Sequence, residues 1–181
     1  MNIYLIGFMG SGKSTVSKVL AEKLSWELID TDEYIENKTE KSIRDIFADE
    51  GEEGFRNTET ECIRDISLLD GKVVSCGGGA VLRSENVKLM KESGIVVLLG
   101  AAPETIYERV KHSTNRPILN GNMNVDYIAG LMEKRKPAYD FAKDIEVVTD
   151  DKTADLIADD IYSAIFENCN LGNDDVDEKL S

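Results

Sequence analysis

The chain has 181 residues, of which 41% are hydrophobic, and this length and composition suit a single domain with its own core. Its formal net charge is −14, from 35 acidic and 21 basic side chains. This excess of acidic groups excludes a protein that binds nucleic acid through phosphate neutralisation, so any anion site must be a local basic cluster.

The cysteines and the amino-terminal segment bear on the cellular setting. Cys62, Cys76 and Cys169 lack Cys-x-x-Cys spacing, and the single histidine is His112, so we expect reduced thiols and no zinc site. Residues 1–9 have neither the basic segment nor the apolar length of a signal peptide or a membrane span. We therefore expect a cytoplasmic monomer that binds neither membranes nor nucleic acid.

Short apolar runs alternate with segments of helical periodicity. The runs predict strands at residues 3–6, 27–29, 73–76, 95–99 and 145–148. A helix is predicted after the first strand, because Val16, Val19, Leu20 and Leu24 recur at helical spacing and share a face. Further helices are predicted at 42–49, 56–69, 85–93, 103–111, 125–136 and 153–166. Strands separated by helix-length segments predict βαβ units around a parallel sheet, an α/β fold.

Two stretches depart from this alternation. Residues 112–124 are polar and contain Pro117 and Gly121, so we expect a mobile loop between two helices. Residues 167–181 are acidic with few apolar side chains, which predicts a disordered tail. The expected organisation is thus one domain, residues 1–166, followed by that tail.

A phosphate-binding motif follows the first predicted strand. Gly7, Gly12, Lys13 and Ser14 satisfy the pattern G-x-x-x-x-G-K-[ST] between a strand and a helix. The glycines allow backbone N–H groups to face phosphates, Lys13 is placed to reach the outer phosphates, and Ser14 is placed to ligate magnesium. The alternative is a glycine turn that only packs the helix on the strand.

Two carboxylates follow the second predicted strand. Asp30 and Asp32 lie where ligands bind in open α/β sheets, outside the carboxyl ends of the strands. Phosphoryl transfer needs a held magnesium ion and a group that orients or deprotonates the attacking hydroxyl. We assign Asp30 to the metal and Asp32 to the hydroxyl, with Ser75 on the third strand as a further holder of a metal-bound water. The alternatives are that Asp32 only caps the next helix and that Ser75 is simply buried.

Three further features could serve an anionic acceptor. Arg56 lies three residues before Glu59, and a guanidinium held by a carboxylate can grip a second carboxylate; a solvated ion pair is the alternative. The run 77–79 is three glycines, which allow close approach of a ligand or form only a flexible turn. Arg135 is predicted near a helix end, where it binds the acceptor or only complements the helix dipole.

Six short motifs, GFMGSGKST, DTD, GEEGFR, CGGGAV, NRPIL and RKPAY, together resemble the shikimate kinase family in order and spacing. The resemblance covers residues 1–165. It implies a three-layer P-loop kinase fold of the nucleoside-monophosphate-kinase type, with a five-stranded parallel sheet in order 2-3-1-4-5 flanked by helices. It also implies transfer of the γ-phosphoryl group of ATP, with Mg²⁺, to the 3-hydroxyl of shikimate, a step toward chorismate and the aromatic amino acids.

The resemblance further implies roles for individual residues. It assigns catalysis to Asp32, Lys13 and Arg116, with Arg116 on a mobile lid formed by residues 113–124, and magnesium binding to Ser14 and Asp30. The residues that it implies for ATP are Gly10, Ser11, Gly12, Lys13, Ser14, Thr15, Arg109, Arg116 and Lys152. Arg109 is expected to stack on adenine, and Lys152 or Thr153 to replace a proline that some family members place beside the base.

The acceptor is expected to bind in a segment from residue 33 to 61 and in the glycine run. The residues that the resemblance implies for shikimate are Asp32, Phe47, Phe55, Arg56, Gly77, Gly78, Gly79 and Arg135. Two rival interpretations stay open: another small-metabolite kinase of the same fold, such as a gluconate kinase, and a nucleotide-binding module without catalysis.

Overall fold

The protein is described here from a computed structural model, which defines residues 1–111 and 124–167. Its strands are β1 (Asn2–Ile6), β2 (Glu27–Asp30), β3 (Lys72–Ser75), β4 (Gly94–Gly100) and β5 (Ile145–Val148). Its helices are α1 (Lys13–Leu24), α2 (Thr31–Thr39), α3 (Ile43–Ser67), α4 (Ser84–Ser93), α5 (Pro103–Val110), α6 (Val125–Ala142) and α7 (Ala154–Tyr162). A 3₁₀ turn at Ala80–Leu82 and a π-helical turn at Ser163–Glu167 complete the described elements.

The five strands form one parallel sheet in the order β2-β3-β1-β4-β5. The fold class, the strand order and the five strand positions are therefore confirmed, with strand ends shifted by no more than one residue. Two of the helices are capped by side chains, because Ser42 accepts a hydrogen bond from Asp45 N and Thr153 accepts one from Leu156 N.

Side chains of the strands point alternately to two hydrophobic layers. On one face, Tyr4 and Ile6 of β1 pack with residues of α3, α4 and α6. On the other, Ile3 and Leu5 pack with residues of α1 and α7. Both faces of a parallel sheet must be covered, and this burial explains why β1 and β4 read as continuous apolar runs rather than alternating ones.

The third helix differs from the sequence prediction of two helices at 42–49 and 56–69. Helical hydrogen bonding continues from Ile43 to Ser67, but Gly51 leaves helical geometry with φ 71° and ψ −173°. A side chain is rarely tolerated at this positive φ, so glycine permits a kink where the sequence pattern indicated a break. The kink separates the part that carries Phe47 from the part that carries Arg56.

The sixth helix is longer than predicted. We expected it to end at Lys136, before Pro137, but it continues through the proline to Ala142. Proline removes one helical N–H and leaves the carbonyl of Glu133 without its usual donor; both residues are exposed, so water can reach that carbonyl. Arg135 therefore lies inside the helix, and the alternative that it only complements a helix end is wrong.

No helix in the described ranges 1–111 and 124–167 is both long enough and apolar enough to cross a membrane.

Candidate active site

A cavity of about 550 Å³ lies beyond the carboxyl ends of β1, β2 and β3. The register of the sheet brings its polar wall together, because Ser75 is the neighbour of Leu5 on one side and of Asp30 on the other. Residues from every part of the predicted phosphate and metal site line the cavity: Gly10, Ser11, Gly12, Lys13, Ser14, Thr15, Asp30, Asp32, Ser75, Gly77, Gly78, Arg109 and Lys152.

The phosphate loop, residues 7–15, has the backbone geometry that the motif predicts. Gly7, Gly10 and Gly12 all have positive φ, at 150°, 79° and 101°. The loop leads directly into α1, whose amino terminus favours anions. A side chain at Gly7 would collide with the Leu99 carbonyl, 2.7 Å from the position of its Cβ, so the loop is closely packed against β4. A simple packing turn would not need three glycines with positive φ within six residues.

Two polar side chains of the loop are set for a ligand. Lys13 Nζ donates to the carbonyls of Gly7, at 2.8 Å, and Phe8, at 3.1 Å, so the ammonium group is held across the mouth of the loop. Ser11 Oγ is buried and has no hydrogen-bond partner among the described residues. Because an unpaired buried hydroxyl is costly, it indicates a partner such as a phosphate oxygen.

Asp30, rather than Asp32, caps the helix after β2. Asp30 Oδ1 accepts the backbone N–H of Asp32 at 3.0 Å and is the N-cap of α2. The alternative that Asp32 only caps this helix is therefore wrong. The carboxylate of Asp32 remains available to the cavity that it lines.

The surroundings of Asp32 raise the pKa of its carboxyl group. Desolvation inside the cleft is the main cause, and the negative charges of Asp30 and Glu36 act in the same direction, while Lys13 and Arg56 oppose them. Asp32 nonetheless stays in contact with solvent at the open mouth of the cavity. A carboxylate with a raised pKa is a better proton acceptor than an ordinary surface aspartate.

Arg56 and Glu59 form a pair that is shielded from solvent. Arg56 Nη1 lies 2.7 Å from Glu59 Oε2, and the exposed fractions of the two side chains are 15% and 1%. The alternative of a solvated ion pair is therefore wrong. Burial raises the pKa of Glu59, and the charge and hydrogen bond of Arg56 oppose that rise.

Two glycines of the run 77–79 lie against different side chains of the predicted site. Gly77 N donates to Thr31 Oγ1 at 2.8 Å, and a Cβ at Gly77 would stand 3.0 Å from Asp32 Oδ1. At Gly79, a Cβ would stand only 2.4 Å from Arg56 Nη2. The run therefore makes room for the two side chains that we assigned to the acceptor, which a merely flexible turn would not require.

The two predicted aromatic contacts lie together on α3. Phe47 and Phe55 stack with their ring centroids 4.6 Å apart, across the kink at Gly51, and the guanidinium of Arg56 lies 5.2 Å from the Phe55 centroid. Phe55 is buried, whereas Phe47 exposes 39% of its surface. The pair extends an apolar surface from the core toward Arg56.

Arg109 joins α5 to the phosphate loop. Its Nη1 donates to the carbonyls of Gly10 and Ser11, each at 3.3 Å, and to Thr149 Oγ1 at 3.1 Å, while Nη2 donates to Thr149 O at 2.9 Å. These bonds use the edge of the guanidinium, and a guanidinium held by its edge can still stack on an aromatic base. Lys152 also lines the cavity and forms an ion pair with Asp160 at 2.7 Å.

The remaining predicted residues lie apart from the cavity or outside the described structure. Arg135, like Phe47, Phe55, Arg56 and Gly79, is not among the residues that line this cavity; its guanidinium carbon lies 5.6 Å from the centroid of the Phe8 ring, beside the phosphate loop. Arg116 and all of the predicted lid except Asn124 lie outside the described residues, as does the predicted tail beyond Glu167. Asn124 itself caps α6 by accepting the N–H of Tyr127.

Sequence reasoning missed three residues that support these side chains. Thr149 is fully buried and holds Arg109, and Phe8 and Tyr139 lie beside Arg135. Tyr139 follows Arg135 by four residues, a helical spacing that would have indicated a contact had the helix been extended past Pro137. No local signal identifies Thr149, because its partner is 40 residues away.

The donor atoms in the cavity suit a magnesium ion bound together with a nucleotide. Ser14 and Asp30 supply a hydroxyl and a carboxylate oxygen, the hard ligands that Mg²⁺ prefers. Among residues 1–111 and 124–167, no three His, Cys, Asp or Glu side chains are grouped closely enough to hold a metal ion by themselves. Mg²⁺ usually binds through one or two protein ligands, water and substrate phosphates, so this sparse set fits it.

A phosphate loop between β1 and α1, at the carboxyl edge of a parallel sheet in the order 2-3-1-4-5, defines the P-loop kinase fold. A family profile for shikimate kinase matches residues 9–166. The chain belongs to the shikimate kinase family and is an ATP-dependent kinase.

Individual relatives agree with this placement. A shikimate kinase of Moorella thermoacetica is 44% identical over 164 residues, which cover 91% of this chain and 94% of the relative. One of Thermodesulfovibrio yellowstonii is 43% identical over 159 residues, covering 86% and 92%. The structure of shikimate kinase from Acinetobacter baumannii in complex with shikimate superposes with a TM-score of 0.86 at 36% identity, covering 92% of this chain and 93% of that one.

Proposed function

We propose that this protein transfers the γ-phosphoryl group of ATP to the 3-hydroxyl of shikimate. The observation that carries the proposal is that Lys13 and Asp32 line the same cavity, so a phosphate-binding cation and a proton-accepting carboxylate face one space. Membership of the family and the shikimate complex of the Acinetobacter baumannii relative support the choice of acceptor.

The donor occupies the phosphate loop. Backbone N–H groups of residues 10–15 and the amino terminus of α1 bind the phosphates of ATP, and Lys13 moves its bonds from the loop carbonyls to the outer phosphates. Arg109, held against Thr149, lies beside the adenine, with Lys152 at the same end of the cavity. The hydroxyl of Ser11 completes its hydrogen bonding on a phosphate oxygen.

Ser14 and Asp30 hold the magnesium ion in this proposal. When bound, Mg²⁺ neutralises charge on the phosphate oxygens. Asp30 can serve through its second oxygen, because Oδ1 is used by the N–H of Asp32. Ser75 lies beside Asp30 in the sheet and is placed to accept or donate a hydrogen bond to a metal-bound water.

Asp32 orients the acceptor hydroxyl and takes its proton. As the oxygen of the hydroxyl forms its bond to the γ-phosphorus, the bond from that phosphorus to the β,γ-bridging oxygen breaks and ADP leaves. The proton of the hydroxyl passes to the Asp32 carboxylate, whose raised pKa favours that transfer.

Two arginines and the glycine run select a carboxylate-bearing ring. Arg56, oriented by Glu59, and Arg135 on α6 bind the carboxylate of the acceptor, since a planar guanidinium can donate two parallel hydrogen bonds. Gly77, Gly78 and Gly79 allow the ring close to the backbone, with Phe47 and Phe55 on the apolar side. Gluconate, the acceptor of a gluconate kinase, also carries a carboxylate but is an open chain, so it fits this arrangement less well than a compact ring does.

Arg116 stabilises the charge that develops on the transferring phosphoryl group in this proposal, and residues 113–124 close over the site to exclude water. An arginine of this kind contributes about 10³-fold or more to turnover. We therefore expect Arg116→Ala to lose turnover far more than stability; turnover equal to that of the unmodified protein would contradict the role.

The test is release of ADP from Mg·ATP with shikimate, gluconate or a nucleoside monophosphate as the acceptor, and with no acceptor. We expect ADP release to depend on shikimate and to be near background with the others. Dependence on gluconate would favour the other small-metabolite kinase. ADP release that ignores every acceptor, or no release at all, would favour a protein without acceptor chemistry and overturn the proposal.

A further inference from the structure

The guanidinium of Arg135 lies over an aromatic ring of the phosphate loop. The guanidinium carbon of Arg135 lies 5.6 Å from the centroid of the Phe8 ring, within the range of a cation–π interaction. Phe8 is the second residue of the loop and its side chain exposes only 4% of its surface. The phosphate loop therefore provides the aromatic ring on which the guanidinium of Arg135 lies.

Both the backbone and the side chain of Phe8 are held in place. Its carbonyl accepts Lys13 Nζ at 3.1 Å and Ser11 N at 3.1 Å, which ties the backbone to the donor site. Its ring packs in a small core with Ile106, Val110 and Ile128, from α5 and α6. A ring held in this way gives Arg135 a rigid support whose location is set by the phosphate loop.

Tyr139 supports Arg135 from a second direction. Its hydroxyl donates to the Gly78 carbonyl at 2.7 Å, and Arg135 lies close enough for its charge to oppose the rise that burial causes in the pKa of Tyr139. Gly78 in turn lies against the phosphate loop, because a Cβ there would stand 3.7 Å from Gly7 O and 3.8 Å from Met9 N. The loop, the glycine run and α6 thus meet around one arginine.

We propose that Phe8 and Tyr139 are positioning residues, which seat Arg135 against the phosphate loop so that the acceptor carboxylate is bound at a fixed place relative to ATP. This inference rests on the proposed function, in which Arg135 binds that carboxylate. Neither residue touches the acceptor; both act through the guanidinium. An arginine side chain that is free to rotate loses conformational entropy when it binds a ligand. An arginine already held by Phe8 and Tyr139 loses less, so its binding of the carboxylate is stronger.

The test compares Phe8→Leu with Phe141→Leu, a matched control on the same helix as Arg135 whose ring is 67% exposed. Calorimetry measures the Kd of shikimate and the Kd of ADP for each protein. Leucine keeps an apolar side chain in the core but removes the π face. We expect Phe8→Leu to weaken shikimate binding about 3- to 10-fold, the range of a partly shielded cation–π interaction, with the Kd of ADP changed less than twofold.

A double-mutant cycle separates positioning from a general structural effect. In an Arg135→Ala background, Phe8→Leu should change the Kd of shikimate by less than twofold, because the residue through which it acts is gone. Tyr139→Phe removes only a hydroxyl, and its effect on the Kd of shikimate should likewise disappear in the Arg135→Ala background. If circular dichroism shows that Phe8→Leu does not fold, the cycle with Tyr139→Phe tests the proposal in its place.

An unchanged Kd of shikimate in both Phe8→Leu and Tyr139→Phe, or an equal loss with and without Arg135, would overturn the inference alone. A similar loss of ADP affinity would also overturn it, since that result indicates a distorted phosphate loop. Failure of the unmodified protein to bind shikimate would instead overturn the proposed function, and the inference with it.

Discussion

The carboxylate of Glu59 lies 2.7 Å from the guanidinium of Arg56 and exposes only 1% of its side chain. A buried carboxylate at this distance fixes the guanidinium in one orientation and leaves its remaining N–H groups for another anion. We expect Glu59→Gln to raise the KM for shikimate about tenfold, corresponding to about 1.4 kcal/mol, because the neutral amide holds the guanidinium less firmly. Steady-state kinetics with varied shikimate measure the effect.

Glu52→Gln is the matched control for that change. Glu52 lies 3.7 Å from Nη2 of the same arginine, but 72% of its side chain is exposed. Exposed ion pairs contribute little, so we expect the KM for shikimate to stay within about twofold. Equal effects of the two substitutions would contradict the view that burial of Glu59 is what orients Arg56.

Gly79 provides the space that Arg56 occupies. A Cβ at this position would stand 2.4 Å from Arg56 Nη2 and 2.6 Å from Nη1, while the backbone φ of −107° is open to any residue. We expect Gly79→Ala to fold, because the arginine can move, and to raise the KM for shikimate about tenfold or more with little change in the KM for ATP.

Gly130→Ala is the control for Gly79→Ala. Gly130 lies in α6, and apart from its chain neighbours and the backbone of its own helix, no heavy atom lies within 4 Å of the position of its Cβ. Alanine is the better helix former, so we expect unchanged kinetics and a melting temperature that is equal or higher. A rise in the KM for ATP as large as that for shikimate in Gly79→Ala would show damage beyond the Arg56 contact.

The pH dependence of the reaction should report the surroundings of Asp32. Desolvation and the charges of Asp30 and Glu36 raise the pKa of this carboxyl, and only the ionised form can accept the hydroxyl proton. Activity is therefore present above the raised pKa and lost as the pH falls through it. We expect the acid limb of kcat/KM to lie above the usual range for aspartate.

Glu36→Gln should move that acid limb to lower pH, because it removes one of the negative charges that raise the pKa of Asp32. The glutamine can keep the hydrogen bond that Glu36 accepts from Ile43 N at 2.8 Å. Glu61→Gln, an exposed change on α3, is the control and should leave the profile in place. A shift to higher pH in Glu36→Gln would contradict the assignment of the limb to Asp32.

Thr149 should matter for ATP and not for shikimate. Its hydroxyl and carbonyl accept from Arg109 at 3.1 Å and 2.9 Å, and the side chain is fully buried. Thr149→Val keeps the shape but removes one acceptor, so we expect the KM for ATP to rise about 3-fold, the effect of about one hydrogen bond. An unchanged KM for ATP would show that Arg109 does not depend on this contact.

The fold was largely predictable, and the exceptions have physical causes. The strands were found because a parallel sheet covered on both faces needs continuous apolar runs, as in β1 and β4. The sequence predicts an end of α6 at Lys136 because proline usually breaks a helix, whereas the exposed position of Pro137 leaves the affected carbonyl accessible to water. The sequence predicts two helices where the structure has one kinked helix, α3. A kink and a break give the same sequence pattern, and only the backbone geometry at Gly51 distinguishes them.

The site was predictable where a local motif describes it. The phosphate loop is such a motif, since its glycines, lysine and serine act within a few residues. The choice between Asp30 and Asp32 as the helix cap required the structure, because both are acceptable caps. The burial of Glu59 and the contact between Phe8 and Arg135 depend on packing between distant segments, which spacing along the chain does not report.

The central claim is that a phosphoryl group passes from ATP to one hydroxyl of shikimate. The most direct test is phosphorus–proton correlation NMR of the purified product after reaction of the protein with Mg·ATP and shikimate. We expect one organic phosphate whose phosphorus couples to the proton on carbon 3, formed in equal amount to ADP. A phosphate coupled to a proton on carbon 4 or 5, or ADP accompanied only by inorganic phosphate, would contradict it.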